Sequence, residues 1–155
     1  MIKYTDCMVV FREFPDEITL AINLSLCPNR CEGCHSPYLR EDVGEELTKD
    51  VLSELVNKNN GITCVGFMGG DNDVSTLVSL MRHVKETTGL NCGWYSGKDE
   101  MNQEVVKSGA CDYIKVGHYD HNRGPIDNPN TNQRMYFLTD IGTGYVDITE
   151  QFWNN

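Results

Sequence analysis

Three cysteines in one short stretch carry the strongest chemical signal in this chain. Cys27-Pro28-Asn29-Arg30-Cys31-Glu32-Gly33-Cys34 is a C-x3-C-x2-C array. Three thiolates gathered by a tight loop can ligate three irons of a [4Fe-4S] cube and leave the fourth open to another ligand. Zinc would ask for a second cysteine pair or a well-placed histidine, and His35 adjoins Cys34 too closely for comfortable chelation by both. Buried thiols without metal are the third reading of the same residues.

The elements around this loop decide where it can act. Ile18 to Leu24 alternates as a strand does, with large aliphatics on one face. A polar loop runs from Ser25 to about Gly44. Thr48 then caps a helix carrying Val51, Leu52, Leu55 and Val56. Ile62 to Met68 reads as a strand stopped by Gly69-Gly70, and Asp73 caps a second helix through Val84. Leu90 to Tyr95 is a third strand, Lys98 to Ser108 a third helix ending at Gly109, and Tyr113 to Val116 a fourth strand. Arg134 to Thr139 is a fifth. The tail through Phe152 and Trp153 is expected to dock, because large aromatics gain by leaving water.

Alternating strands and helices predict an α/β fold with parallel strands and helices on the outer face. A full eight-unit barrel takes about 250 residues, and this chain has 155. The expectation is therefore one domain over residues 1–155, built as a partial, open barrel or short sheet. Chemistry in such folds gathers at the C-terminal ends of strands. The cysteine loop, Gly69-Gly70-Asp71, Ser96-Gly97 and Gly117-His118 each follow a predicted strand.

Composition narrows the partners. Thirteen Lys and Arg face 23 Asp and Glu, a formal charge of -10. Such a surface repels phosphate backbones and anionic lipid, which argues against nucleic acid and against a membrane. No apolar signal core opens the sequence, so the expected compartment is the cytoplasm. There the seven cysteines read as metal ligands and buried thiols rather than disulfides.

The C-x3-C-x2-C array resembles the identifying motif of the radical S-adenosylmethionine superfamily. Gly33-Cys34-His35 is similar to the same stretch in the activating protein of the anaerobic ribonucleoside-triphosphate reductase, a family that is also short. Gly69-Gly70-Asp71, Trp94-Tyr95-Ser96-Gly97, Gly117-His118-Tyr119 and Asn132-Gln133-Arg134 resemble its later conserved regions, in order. Asp71 stands where the wider superfamily has Glu.

The resemblance implies an open radical-S-adenosylmethionine β/α barrel in which Cys27, Cys31 and Cys34 hold a [4Fe-4S] cluster. Its open iron is chelated by S-adenosylmethionine, whose S–C5′ bond breaks on one-electron reduction to give methionine and a 5′-deoxyadenosyl radical. Gly69-Gly70-Asp71 is implied to meet the methionyl amine, and Gly33 and His35 to lie along the adenine. The implied partners are the large subunit of the anaerobic ribonucleotide reductase, which receives a glycyl radical, and an electron donor such as flavodoxin or ferredoxin.

Two other classes stay open at this point. One is the activase of another glycyl-radical enzyme, such as a pyruvate formate-lyase relative. The other is a non-catalytic iron–sulfur or zinc module, although a ferredoxin-like carrier normally has a fourth cysteine in its motif. Cys7, Cys64, Cys92 and Cys111 lack paired spacing and read as buried small hydrophobes. His83 reads as a surface or packing residue, His118 and His121 as loop residues, and Asp99-Glu100 as a solvated face. The role of residues 115–134 is left open.

Overall fold

The computed structural model describes residues 1–25, 43–120, 122–140 and 144–153, with backbone alone at 139 and 140. Cys27, Cys31, Gly33, Cys34, His35 and His121 lie outside the described residues. The elements run β1 (Lys3–Val10), β2 (Thr19–Leu24), β3 (Glu45–Glu46), α1 (Lys49–Asn57), β4 (Cys64–Met68), α2 (Val74–Thr88), β5 (Asn91–Tyr95), α3 (Gln103–Ser108), β6 (Tyr113–Val116), β7 (Arg134–Asp140) and β8 (Gly144–Asp147), followed by a 3-10 turn over Thr149–Phe152. They form one sheet of eight described strands in the order β3-β1-β2-β4-β5-β6-β7-β8.

The sheet is mixed. β2, β4, β5 and β6 are mutually parallel. β1 and β7 flank them antiparallel on the two sides, and β3 and β8 in turn pair antiparallel with β1 and β7 at the outer edges. Each parallel step is bridged by a helix, as a crossover requires.

Strand periodicity sorts the side chains. Leu20, Ile22, Leu24, Val65, Phe67, Trp94, Ile114 and Val116 share one face and one core with Leu52, Val56, Leu77, Met81, Val84, Val105 and Val106 of the helices. All three helices therefore pack on that face. On the other face, Phe14 is wholly buried with Cys64, Tyr113, Ile126 and Met135. Phe14 lies on a bed of two paired glycines, Gly66 and Gly93. A Cβ at Gly93 would stand 2.3 Å from the Phe14 ring.

Helix caps follow the expected residues. Thr48 and Asp73 accept from Val51 N and Thr76 N at 3.2 and 3.3 Å. The third helix starts at Gln103 rather than Lys98, because Asn102 is its cap, accepting from Val105 N at 3.2 Å. β1, β3 and β8 are strands that the sequence pattern does not announce. The tail docks as expected: Trp153 Nε1 donates to Ile126 O at 3.0 Å, and Phe152 packs against the Phe14 cluster. Among the described residues, no helix is long and apolar enough to cross a membrane.

The opposite rim, at the N-terminal ends of the parallel strands, is closed by a buried carboxylate. Glu17 accepts from Thr63 Oγ1 at 2.6 Å, Asn91 Nδ2 at 2.8 Å and Tyr113 OH at 2.8 Å. Three donors from three strand starts replace the water that burial removes.

Candidate functional site

Because β2, β4, β5 and β6 run parallel, the segments after them emerge on one rim. Gly69-Gly70-Asp71 follows β4, Ser96-Gly97 follows β5 and Gly117-His118 follows β6. The segment bearing the three cysteines leaves β2 on the same rim. Its stems are described on both sides. Ser25 N donates to Lys3 O at 2.9 Å, and Ser25 Oγ donates to Val43 O at 2.6 Å. Gly44 then returns against β1 at φ +91°, where a Cβ would meet Tyr4 O at 2.1 Å. Only glycine permits that return.

The Gly69-Gly70 turn is fixed from three sides. Both residues have left-handed φ, 121° and 100°. Trp94, 1% exposed, donates its indole Nε1–H to Gly69 O at 2.6 Å, and Gly69 N donates to Tyr95 O at 3.1 Å. A Cβ on either glycine would press on Leu24 at 3.3 Å. Leu24 stands three positions before Cys27, so the turn rests against the stem of the cysteine segment.

Asp71 joins this turn to the next loop. Its Oδ1 accepts from Ser96 Oγ at 2.6 Å and its Oδ2 from Gly97 N at 2.9 Å. A carboxylate has about four acceptor directions, so it can serve several donors at once. Ser96 N in turn donates to Lys115 O at 2.9 Å, and Gly117 N to Lys98 O at 2.6 Å. The three loops are thus laced edge to edge. A cleft of about 470 Å³ opens beside them, lined by Asp71, Trp94, Ser96, Lys98, Asp99 and Glu100 among others.

One pair on the rim is not announced by the sequence. Asp99, which reads there as a solvated acid, takes both the backbone N–H of His118 at 3.0 Å and its ring Nδ1 at 2.7 Å. The imidazole hydrogen bond, then the backbone one, hold the Asp99 carboxyl below its ordinary value. Residues 132–134 also acquire a place. Asn132 Nδ2 donates to His118 O at 3.1 Å and Gln133 Nε2 to Gly117 O at 3.4 Å, so they brace the loop after β6. The sequence marks these residues as a polar run beside a strand start and by the family resemblance, and neither says what they hold.

The remaining cysteines behave as small hydrophobes. Cys64, Cys92 and Cys111 are buried free thiols and Cys7 is half-buried. Burial pushes the Cys92 thiol up to about 12, and Cys64 and Cys111 shift the same way for the same reason. His83, as expected, packs between helices, with its Nε2 2.7 Å from Ser53 Oγ. Among the described residues, no group of three or more His, Cys, Asp or Glu is placed to hold a metal. The donor set that fits an iron–sulfur cluster is the Cys27, Cys31 and Cys34 array, three soft thiolates at close spacing.

Comparison with curated proteins and with solved structures returns no match to this chain. A family match does exist. It covers residues 18–121, more than half of the chain, from the start of the parallel sheet to the loop after β6. The cysteine array and the laced rim both fall inside it, and the chain belongs to the family described as the 4Fe-4S single cluster domain.

Proposed function

We propose that this chain is a radical S-adenosylmethionine activase that installs a glycyl radical on the anaerobic ribonucleoside-triphosphate reductase. One observation carries the reading: the stem of the cysteine segment, Gly69-Gly70-Asp71, Ser96-Gly97 and Gly117-His118 follow successive parallel strands onto one rim. That is the order in which the motifs resemble those of the activating proteins. On this reading the sheet is the open barrel of that superfamily, with its helices outside.

Cys27, Cys31 and Cys34 hold the [4Fe-4S] cluster, and Gly33 and His35 lie along the adenine of S-adenosylmethionine. When bound, the cluster supplies the single electron that reductive cleavage of the S–C5′ bond needs. Gly69 and Gly70 present backbone at close range, held by Trp94 and Leu24. Asp71 orients the methionyl amine, its carboxylate aimed by Ser96 and Gly97. The sheet face away from the helices receives the protein substrate, and an electron donor such as flavodoxin or ferredoxin completes the cycle.

The test combines reconstituted, reduced protein with the large reductase subunit and S-adenosylmethionine without oxygen. Electron paramagnetic resonance and 5′-deoxyadenosine are read from the same tube. A glycyl radical that disappears in Cys31→Ala supports the proposal. Deoxyadenosine without that radical keeps the chemistry and transfers the assignment to another glycyl-radical enzyme, such as a pyruvate formate-lyase relative. Neither product at full iron loading reduces the chain to a non-catalytic cluster module.

A further inference from the structure

A second cleft, of about 590 Å³, lies on the sheet face away from the helices. One bank is the turn between β1 and β2, and the other is formed by Pro125 to Asp127 with Gln151 and Phe152. Its apolar lining includes Phe11, Tyr95 and Phe152. Phe11 is 68% exposed, an aromatic ring left in water at the edge of the cleft.

The charged lining is one-sided. Glu13, Asp16, Glu17 and Asp127 line the cleft with a single cation, Arg12. Glu17 is committed inward to Thr63, Asn91 and Tyr113. Three carboxylates then remain on the banks against one guanidinium. Glu13 and Asp127 line this cleft from opposite banks. The Tyr95 hydroxyl, which donates to Glu13 O at 2.6 Å, holds its proton well above the ordinary range, first through burial and next through the charges of these two acids.

A cleft that is aromatic along its walls and anionic at both banks selects a flat cation that can stack and accept two carboxylates. The guanidinium has that shape, since it offers paired donors in its plane and an apolar face above and below. An ammonium on a flexible stem uses only the charge.

We propose that this cleft seats an arginine side chain carried by an extended segment of a partner protein, with the guanidinium between Glu13 and Asp127 and apolar neighbours on Phe11 and Phe152. The cleft shares only Tyr95 with the laced rim, through its ring rather than the backbone carbonyl that holds Gly69. Glu13, Asp127 and Phe11 take no part in the activase reading, so the two can fail separately.

The test is fluorescence anisotropy of the full chain with a short labelled peptide bearing one central arginine between leucines. The same peptide with citrulline, a neutral isostere, is the comparison. The arginine peptide should bind about tenfold tighter or more, the scale of a charge-assisted pair. Glu13→Gln with Asp127→Asn should remove that advantage, and Phe11→Ala, at an exposed position, should weaken both peptides. Glu45→Gln with Glu46→Gln removes the same two charges from β3 and should change nothing. Equal loss in the two double variants would reduce the effect to general attraction by an acidic chain and overturn the proposal. So would equal binding of the citrulline peptide, or no binding of either. Competition by free arginine amide as strong as by the peptide would make the occupant a small cation and overturn the partner segment.

Discussion

Ser96 Oγ donates to Asp71 Oδ1 at 2.6 Å, and this bond joins two loops that lie 25 residues apart in the chain. Ser96 is 2% exposed, so water does not replace the bond when it is cut. Ser96→Ala should destabilise the fold by about 1.5–3 kcal/mol, the range for a hydrogen bond to a charged group. Urea unfolding reads this directly. Under the proposed function, half-saturation by S-adenosylmethionine should also rise while iron content stays constant. Unchanged stability would show that the two loops are not joined in solution.

Iron binding should separate the cysteines into two sets. Cys27→Ala, Cys31→Ala and Cys34→Ala should each lose most of the iron and sulfide, because a cube missing one of three thiolates is poorly held. Cys64→Ala, Cys92→Ala and Cys111→Ala should load normally, since these thiols are buried among hydrophobes. Iron and acid-labile sulfide assays on the six variants check both halves. Loss of loading in the second set without loss of fold would assign those thiols to the metal.

Gly93 is a packing device. Because a Cβ there would come within 2.3 Å of the Phe14 ring, Gly93→Ala overfills the face and should cost about 1–3 kcal/mol. Phe14→Leu in the Gly93→Ala background should recover part of that loss, whereas Phe14→Leu alone should destabilise. A double-mutant cycle in urea measures the coupling. Additive effects would mean that the ring does not lie on the glycine.

Alkaline pH should weaken the fold through the buried thiols. Cys92 holds its proton up to about 12, against an ordinary thiol value of 9.0. Between these values the folded chain binds a proton that the unfolded chain has released, so stability falls as pH rises. The contribution is present in full below pH 9 and is lost by about 1.4 kcal/mol per pH unit for one such group. Cys64 and Cys111 act in the same direction. Urea midpoints taken through this window should fall less steeply in Cys92→Ala. Parallel slopes would show that the thiol titrates normally.

The parallel strands and the first two helices are legible in the sequence because each buries one clear pattern: Leu20, Ile22 and Leu24 in β2, or Leu77, Met81 and Val84 in α2. β1 is not, since Lys3-Tyr4-Thr5-Asp6 has no apolar face. It is a strand because β2 and β3 pair with it on either side. The start of α3 is hidden because Lys98 and Asp99 look helical locally but are occupied by Gly117 and His118. The rim loops can be named from local turn chemistry, yet their lacing cannot. Asp71 with Ser96 and Asp99 with His118 are contacts that only the sheet order brings about. Phe14 on Gly66 and Gly93 belongs to the same class, because strand glycines ordinarily signal weakness rather than a bed for a distant ring.

The stitched stem at Ser25 and Val43 has a bearing on how such a protein can change over time. Among the described residues, the bonds at the ends of the cysteine segment join the Ser25 hydroxyl to Val43 O and its amide to Lys3 O, and no thiolate is among them. In a zinc finger the metal's binding energy is the folding energy, so ligands and fold must be inherited together. Here the described bonds at Ser25, Val43 and Lys3 are made without a metal ligand. A change of residues between these two ends therefore leaves the closing bonds in place wherever Ser25 and the Val43 carbonyl are kept.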